Sequence, residues 1–469
     1  MLPLLFWLGC EETEKEEEED NQPTPVTLYD IEYNDTLMVF KWSIYMDGDF
    51  FKYSLFSSDN ESMENKEILF ESSVRIDTMF SQKTVIEEEY YQVQVMNLDQ
   101  EKSFSNIIVK PLTPVMFVKT FGGSEMEYGR SVQQTTDDGY IITGEMDRDV
   151  WLLKTNSNGD SLWSKTFGGN TIDKGYSVQQ TTDGGYIITG YTWSFGNGNS
   201  DVWLIKTDSQ GNEEWEKTFG NSYSNEGYSV QQTTDGGYII TGYYVAAGNI
   251  EDLWLIKTDP QGNEEWNQTF GGSEVDWGYS VQQTTDDGYI ITGKTRSFGN
   301  GNNDVWLIKT DPQGEEEWNQ TFGGSESDEG RSVQQTTDGG YIIIGSTTSS
   351  SGSNLWLIKT DSNGNEEWNQ TFESGEGHSV QQTTDGGYIF TGQNWIADIL
   401  LIKTDNQGNE VWNKTFGNVS ENDQGYSVQQ TYYGGYIITG NGYSWRGGTY
   451  DEDVWLIKTD SQGNTVDFP

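Results

Sequence analysis

Residues 175–219 have the sequence GYSVQQTTDGGYIITGYTWSFGNGNSDVWLIKTDSQGNEEWEKTF, and their pattern indicates the fold most directly. This stretch contains four short segments, SVQQT, GYIITG, DVWLIKT and EEWEKTF, whose apolar or alternating pattern is typical of β-strands. The turns TTDGG and TDSQGNE are of the hairpin type, and they join the first segment to the second and the third to the fourth. The stretch therefore predicts one sheet of four strands.

The same unit occurs seven times between residue 115 and the end of the chain. The pentapeptide SVQQT recurs with its valine at Val132, Val178, Val230, Val281, Val333, Val380 and Val428. Four short strands in a period of about 49 residues are typical of one β-propeller blade. The repeat therefore predicts a seven-bladed β-propeller over residues 115–469.

The two ends of this array complement each other. The last copy ends near Asp460 without a good fourth segment, whereas FVKTF at 117–121 stands before the first SVQQT and matches the end of a fourth segment. We expect residues 117–121 to complete the blade begun by residues 425–460. The propeller would then be closed by its N-terminal strand, with no open sheet edge at the seam.

Twelve of the 18 tryptophans stand at two fixed positions of the repeat. They are Trp151, Trp203, Trp254, Trp306, Trp356 and Trp455 in the third segment, and Trp163, Trp215, Trp266, Trp318, Trp368 and Trp412 in the fourth. A buried tryptophan removes roughly 200 Å² from water, so we expect these twelve to be structural. The turn from Asp208 to Trp215 resembles the tryptophan-docking motif of quinoprotein-like (PQQ-like) propellers, although it is one residue shorter between Asp and Gly. That resemblance implies the fold and not the family's chemistry.

Residues 25–112 precede the repeats and carry alternating segments at 37–43, 50–56 and 90–95, which predict a β-sandwich. Around Trp42, Tyr91, Val93 and Val95 this region resembles a fibronectin type III domain, in which Trp42 would be the core tryptophan. The resemblance implies a spacer or protein-contact module. The fold class expected for the whole chain is therefore all-β, a small fibronectin-III-like sandwich followed by the propeller.

The first residues predict an anchor. Residues 1–9, MLPLLFWLG, form an apolar run far shorter than the roughly 20 residues of a membrane-spanning helix. Up to Cys10 this run resembles the end of a bacterial lipoprotein signal peptide, although a basic leader is missing, and Cys10 would be the lipid attachment residue. Residues 10–24 hold the acidic run EETEKEEEED, which repels itself and predicts an extended tether. By this resemblance we expect a cell-envelope protein, lipid-anchored to the outer membrane or the cell surface; an incidental cysteine in a leader is the alternative.

Composition excludes several classes of function. The 26 Lys and Arg stand against 75 Asp and Glu, a net charge of -49, so nucleic acid and anionic lipid surfaces would be repelled. One Cys and one His exclude an internal disulfide and any metal site built from several Cys or His. We therefore expect no cofactor, no metal and no nucleic-acid partner, with the lipid as the sole membrane contact. Calcium at loop acids such as Asp276, Asp328 and Asp423 stays an open alternative, although these loops lack the ligand order of an EF-hand.

Two kinds of loop vary between the repeats, those between the second and third segments and those between successive copies. In a propeller these loops share one face, and variation on one face is typical of a binding surface; drift in unconstrained loops is the alternative. Our ligand-binding candidates are Trp193, Phe195, Trp277, Arg296, Trp395, Tyr443, Trp445 and Arg446. Exposed aromatic rings bind sugars or peptides, whereas a tryptophan packed onto its own loop would have no such role.

The regularity of the repeat argues against an enzyme. Catalysis needs unlike residues that converge on one point, whereas SVQQT in every copy predicts rings of amides and hydroxyls at the axis. His378, the only histidine, stands where other copies have Tyr or Arg and is interpreted as an ordinary substitution. We predict a monomeric, non-enzymatic binding or scaffold protein whose partner is a protein or a polysaccharide. An envelope assembly factor and a glycan-active hydrolase are the alternatives.

Overall fold

The computed structural model of the chain describes residues 32–34, 37–41, 50–58, 67–72, 79–83, 89–97, 102–104, 108–110, 116–123, 127–246, 248, 250–350, 352–394, 398–417, 423–432, 434–446 and 449–466. All regular structure in these ranges is β, which confirms the all-β prediction. Within them the structure contains no helix that could span a bilayer. The chain divides into two compact units, Met1–Thr113 and Pro114–Pro469.

The first unit has eight strands in its described residues. They are β1 (Glu32–Asn34), β2 (Leu37–Lys41), β3 (Phe50–Ser58), β4 (Glu67–Ser72), β5 (Met79–Lys83), β6 (Glu89–Asn97), β7 (Lys102–Phe104) and β8 (Ile108–Lys110). One sheet has the order β1-β2-β5, and the other has the order β4-β3-β6-β7 with β8 also paired to β6. Tyr53 and Leu55 of β3 are fully buried. Trp42, the predicted core tryptophan, lies outside the described residues.

The second unit continues with antiparallel strands taken in sequence order. They are β9 (Phe117–Phe121), β10 (Glu127–Gln134), β11 (Tyr140–Met146), β12 (Asp149–Thr155), β13 (Ser161–Phe167), β14 (Asp173–Gln180), β15 (Tyr186–Thr192), β16 (Asp201–Thr207), β17 (Glu213–Phe219), β18 (Glu226–Gln232), β19 (Tyr238–Val245), β20 (Glu251–Thr258), β21 (Glu264–Phe270), β22 (Asp276–Gln283), β23 (Tyr289–Thr295), β24 (Asp304–Thr310), β25 (Glu316–Phe322), β26 (Asp328–Gln335), β27 (Tyr341–Ser349), β28 (Gly352–Thr360), β29 (Glu366–Gln382), β30 (Tyr388–Asn394), β31 (Ile399–Thr404), β32 (Glu410–Phe416), β33 (Gln424–Gln430), β34 (Tyr436–Arg446) and β35 (Thr449–Lys458).

These strands form repeated four-stranded antiparallel sheets. The orders are β10-β11-β12-β13, β14-β15-β16-β17, β18-β19-β20-β21, β22-β23-β24-β25 and β33-β34-β35-β9, with β26 to β32 in one continuous sheet. That larger sheet arises because β29 pairs with β28 through its first half and with β30 through its second half. Repeated sheets of this kind are the architecture of a β-propeller.

The N-terminal strand closes the array, as the sequence predicts. β9 pairs with β35 from Phe117 opposite Lys458 to Phe121 opposite Val454. The first and last copies also join at their innermost strands, where the backbone N of Gln134 donates to Oε1 of Gln429 at 2.6 Å. The seam thus has no unpaired edge on β35, which removes a site of strand-to-strand aggregation.

The innermost strand of every copy is tied to its neighbour by the same two side chains of SVQQT. The backbone N of Gln180 donates to Oε1 of Gln133 at 2.6 Å, and the backbone N of Val178 donates to Oγ of Ser131 at 3.3 Å. The glutamine bond recurs at all seven junctions. Buried polar groups need partners, so these amides are part of the framework.

The core lies between neighbouring sheets, and the second and third strands of each copy are therefore buried on both faces. All seven residues of β15 and all seven of β16 are buried. Such strands are continuous apolar runs because neither face meets water. The six third-strand tryptophans are all buried, which confirms their structural role.

The fourth-strand tryptophans connect one sheet to the next. The half-buried ring of Trp215 lies 5.8 Å from that of Tyr238, which opens the second strand of the following copy. The turn of that copy crosses the same indole at Gly262, whose φ is +75° and where a Cβ would lie 2.5 Å from the ring. At the seam Phe117 takes the place of the tryptophan, with its ring 6.0 Å from Tyr140.

A buried lysine ends the third strand of each copy. In the second copy Nζ of Lys206 lies 2.9 Å from Asp183 Oδ2 and 3.0 Å from Glu214 Oε2. Burial works against the charge of Asp183, but hydrogen bonds from Thr181, Gly185 and Lys206 lower its pKa to about 2. In the last copy the sequence has Tyr433 at the Asp position. Among the described residues, the hydrogen-bond partners of Lys458 Nζ are neutral oxygens: Thr431 Oγ1 at 2.7 Å, the Gly434 carbonyl at 3.1 Å and the Thr459 carbonyl at 3.2 Å.

Candidate binding site at the mouth of the central channel

The strand registers separate two ends of the propeller. In the second copy Gln180, Tyr186 and Thr207 are in register at the end that carries the TTDGG and TDSQGNE turns, which we call the turn end. Asp173, Thr192 and Asp201 are in register at the opposite end, which we call the loop end. The variable loops therefore share one end, where the sequence places the binding face.

The innermost strand of each copy has a β-bulge at its loop end, and this bulge directs one side chain per copy toward the candidate site. In the first copy Gly129 pairs with Gly144 and Ser131 with Thr143, so Arg130 between them is an extra, unpaired residue. The same register shift follows the glycine before SVQQT in all seven copies. Bulges redirect the side chain of the extra residue. A cavity of about 320 Å³ is lined by precisely these bulged residues together with Trp277.

The bulged residues form what we call the mouth ring. In chain order it consists of Arg130, Tyr176, Tyr228, Tyr279, Arg331, His378 and Tyr426. All seven side chains are half-buried. The ring therefore combines aromatic, cationic and imidazole groups in one cavity, the mouth cavity, although the strands that carry them repeat the same sequence.

The ring has two chemically different sides. On the tyrosine side the rings of Tyr176 and Tyr228 are 5.1 Å apart in an edge-to-face arrangement, and those of Tyr228 and Tyr279 are 5.4 Å apart. Edge-to-face contact is a favourable geometry for aromatic pairs. Burial raises the pKa of all three phenols, so they are neutral hydroxyl groups.

The other side, the arginine side, contains Arg331, His378, Tyr426 and Arg130. The imidazole of His378 stacks on Tyr426 with the ring centres 5.1 Å apart. Its Nδ1 lies 3.1 Å from the Gly425 carbonyl oxygen, and because that oxygen can only accept, Nδ1 carries the hydrogen. Burial lowers the pKa of His378. The Arg130 guanidinium lies over Tyr426 at 4.2 Å from the ring centre, and the Arg331 guanidinium lies over Tyr279 at 4.3 Å.

Carboxylates form a wall outside the ring, and those near it have partners in the mouth ring or in the wall itself. Glu329 Oε2 is 2.7 Å from Arg331 Nη2, and its Oε1 is 3.1 Å from Lys294 Nζ. Glu226 accepts from the Tyr228 hydroxyl at 3.1 Å, and burial raises the pKa of Glu226. The remaining wall pairs are Glu145 with Lys174, Glu251 with Trp277, Glu376 with His378, and Glu452 with Asn441.

Towards the turn end, the channel becomes uniform. A second cavity of about 250 Å³ is lined by the valine and first glutamine of SVQQT from all seven copies. The predicted ring of amides at the axis is present, with valine beside it. Because the glutamine carbonyls are already bonded to the neighbouring strand, this section offers a sevenfold uniform surface and no distinctive chemistry.

Of the predicted candidates whose side chains the structure describes, Trp277 alone lines the mouth cavity. Its indole is stacked on Tyr243 with the ring centres 5.1 Å apart, and Lys294 Nζ lies 4.0 Å from its centre. Its Nε1 donates to Glu251 Oε2 at 2.7 Å. The Trp277 ring is therefore in contact with an aromatic and a cationic neighbour, and it supports the wall of the cavity.

Trp193, Phe195 and Arg296 lie on loops at the same end and are not among the residues that line the cavity. Trp193 is 50% exposed, and Phe195 is 40% exposed with its ring 5.4 Å from the framework residue Trp203. Arg296 is exposed, and its Nε donates to the Asn302 carbonyl at 3.2 Å. We call these three side chains the rim, because they lie at the loop end and are not among the residues that line the mouth cavity.

The other candidates cannot be placed as side chains. Cys10 and Trp395 lie outside the described residues. Tyr443, Trp445 and Arg446 belong to β34, whose backbone pairs them with Glu452, Tyr450 and Thr449 of β35, but their side chains lie outside the described part of the structure.

The loop acids weighed as calcium ligands are used as loop anchors. Asp276 accepts from the Arg296 backbone N at 3.2 Å, the Ser297 backbone N at 3.3 Å and the Ser297 hydroxyl at 2.6 Å, and also from Thr295. The described residues contain no group of three or more Cys, His, Asp or Glu side chains arranged to hold a metal ion.

Sequence reasoning missed the mouth ring and interpreted His378 as an ordinary substitution. A signal was present: the residue between the constant glycine and the constant SVQQT is Arg, Tyr, Tyr, Tyr, Arg, His and Tyr in the seven copies. The period of a strand does not reveal a bulge, so the direction of this side chain could not be predicted.

The similarity of this chain to known proteins is a similarity of fold to solved structures. No protein-family model and no curated protein matches the chain. Among solved structures, a protein of unknown function from Bacteroides caccae has 12% identity and a TM-score of 0.38 over 63% of this chain and 97% of its own. Sqt1 from Chaetomium thermophilum has 10% identity and a TM-score of 0.44 over 71% and 86% of the two chains. YCF48, in a structure with a D1 peptide bound, has 12% identity and a TM-score of 0.45 over 74% and 96%. At such scores the assignment of the fold rests on the strand pairings of this chain.

Proposed function

We propose that the protein is a non-enzymatic binding propeller that holds a segment of a partner protein in its mouth cavity. The observation that carries this proposal is the mouth ring, because seven bulges of one repeated strand bring unlike side chains to a single cavity. Concave sites with aromatic walls and a few placed polar groups are typical of ligand recognition.

The packing of the aromatic rings favours a protein segment over a polysaccharide. Sugar recognition uses flat aromatic faces that are open to the ligand, whereas Tyr176 and Tyr228 stand edge-to-face and the Trp277 ring is stacked on Tyr243 with Lys294 Nζ over it. What faces the ligand is a mixture of hydroxyls, guanidinium groups and ring edges. Such groups match the amides and side chains of a peptide, and interfaces of this kind are enriched in Tyr, Trp and Arg.

We further propose the finer architecture that the sequence predicts. If the continuous sheet of β26 to β32 is divided within β29, the propeller has seven blades. The two antiparallel sheets of the first unit support a fibronectin-III-like sandwich, which would serve as a spacer.

Lipid attachment at Cys10 with residues 10–24 as a tether would place the protein in the cell envelope. Mass spectrometry of the mature N-terminus tests this proposal, and an unmodified Cys10 in the native host would contradict it.

The binding role is tested by selection from a random 12-residue peptide library with the full chain as bait. We expect a family of peptides to be enriched and to lose at least tenfold in affinity against Tyr228→Ala. The control is Tyr244→Ala, a tyrosine outside the cavity whose ring packs on Trp254 at 5.1 Å. Failure to enrich any peptide, equal binding to Tyr228→Ala, or binding on a glycan array instead would overturn the proposal.

A further inference from the structure

The placement of arginine in this chain is unusual. The sequence has six arginines against 75 acidic residues, and two of the six are in the mouth ring. An overall charge of -49 gives the surface a field that repels anions. Cationic side chains in this cavity therefore act by contact with a ligand group and not by long-range attraction.

The two arginines differ in what they already bind. Arg331 is paired with Glu329 at 2.7 Å. Arg130 lies over the rings of Tyr426 and Tyr128, at 4.2 and 5.1 Å from their centres. Among the described residues, no carboxylate lies within 4 Å of its guanidinium, although Glu145 and Glu452 belong to the nearby wall.

The chemistry of the guanidinium determines which ligand groups Arg130 can bind. A guanidinium has five N–H donors, so Arg130, whose side chain also hydrogen-bonds to that of Tyr426, keeps N–H groups for a further acceptor. A carboxylate matches a guanidinium with two parallel hydrogen bonds. Of the wall carboxylates nearest to Arg130, Glu145 is paired with Lys174 and Glu452 with Asn441, and in the described part of the chain no salt bridge joins either one to the Arg130 guanidinium. The half-buried position of Arg130 strengthens such a bond relative to one in open water.

We infer that the mouth cavity selects a carboxylate-bearing peptide segment, with the carboxylate on Arg130 at the arginine side and an apolar or aromatic side chain against Tyr176, Tyr228 and Tyr279. This inference rests on the proposed function and names the ligand chemistry of the same site. The carboxylate is an Asp or Glu side chain or a chain terminus, and the test separates these sources.

The only histidine of the chain reports on this site. His378 is in the mouth ring, so ¹³C-labelled histidine in the full-length protein gives one imidazole signal, from the cavity itself. The probes are three dipeptides: acetyl-Tyr-Glu-amide, acetyl-Tyr-Gln-amide, and acetyl-Tyr-Gln with a free C-terminus. We expect a saturable shift of the His378 signal with the Glu peptide, with the free-terminus peptide, or with both. The neutral Gln amide should bind at least tenfold more weakly.

Two variants connect the shift to the guanidinium. Arg130→Gln should abolish the preference for the charged peptide, whereas Arg148→Gln, an exposed arginine at the same end, should keep it. Equal shifts with all three peptides, no shift with any of them, or a charge preference that survives Arg130→Gln would overturn the inference.

The outcomes separate this inference from the proposed function. Library peptides that are lost on Tyr228→Ala but contain no acid, and that bind Arg130→Gln normally, would leave the binding role standing and overturn carboxylate recognition. A saturable, Arg130-dependent carboxylate shift without any enriched library peptide would overturn the protein partner and keep the anion chemistry of the cavity.

Discussion

The innermost strand of each copy has a constant sequence at the turn end and a variable residue at the loop end. At the turn end, SVQQT is identical in every copy, and its glutamines bond each strand to the next at 2.6 Å. At the loop end, one bulged residue per copy points into the mouth cavity, and its identity changes from Arg to Tyr to His. One strand therefore serves the framework and the site at once, because the bulge separates the two roles.

The largest effect is expected when the closed array of sheets is opened at its seam. Deletion of residues 115–121 removes β9, exposes the edge of β35 and takes Phe117 from its contact with Tyr140. We expect aggregation, or a fall in the melting temperature of more than about 10 °C. Differential scanning calorimetry measures it, with the intact chain as the reference. A deletion variant that melts like the intact chain would contradict closure by β9.

A matched pair of tyrosines tests the division between framework and site. Tyr238 is 2% exposed and packs on Trp215, whereas Tyr228 is half-buried in the mouth ring. We expect Tyr238→Ala to lose about 3–5 kcal/mol of unfolding free energy. Tyr228→Ala should lose on the order of 1 kcal/mol and abolish peptide binding. Urea unfolding and binding assays on both variants decide the matter; an equal loss of stability in the two would remove the distinction.

Lys458 offers a prediction about pH at the turn end. Burial lowers its pKa from 10.5 to about 7. Between these values the unfolded chain holds a proton that the folded chain has released, so this residue makes stability rise with pH from about 7 to 10.5. We expect Lys458→Met to stabilise the fold by up to about 4 kcal/mol at pH 7, a gain that disappears towards pH 10.5.

The control for that substitution is the same change in an ordinary copy. Lys309 lies 3.0 Å from both Asp286 Oδ2 and Glu317 Oε2, so Lys309→Met leaves two carboxylates without their partner and should destabilise the fold. Thermal melts at pH 6, 7 and 9 measure both variants. If Lys458→Met destabilised the protein as much as Lys309→Met, the different surroundings of the two lysines would have no effect on the free energy of unfolding.

The smallest effect is expected at the rim. Trp193 is 50% exposed, so Trp193→Ala should change the unfolding free energy by less than about 0.5 kcal/mol and leave peptide affinity unchanged. Isothermal titration with a selected peptide measures the second quantity. A tenfold loss of affinity would extend the binding surface outward from the mouth cavity to the rim loops.

Much of the framework could be predicted because it depends on local and repeated features. Four alternating segments with hairpin turns specify a sheet, and the recurrence of SVQQT specifies how often it is built. The incomplete last copy and the FVKTF segment specify the seam, since only their pairing leaves no open edge. Buried tryptophans at fixed positions follow from the same repetition.

The site needed the tertiary structure, for two physical reasons. A bulge changes the direction of one side chain without changing the period of the strand, so Arg130 and His378 could not be assigned to the axis from their spacing. The contacts that define the mouth join residues from copies far apart in sequence, such as Arg130 over Tyr426. The sequence by itself determined a closed array of repeated sheets, because local pattern and repetition decide strand pairing. Only the folded chain decided which variable residues share one cavity, since that depends on how the copies meet around the axis.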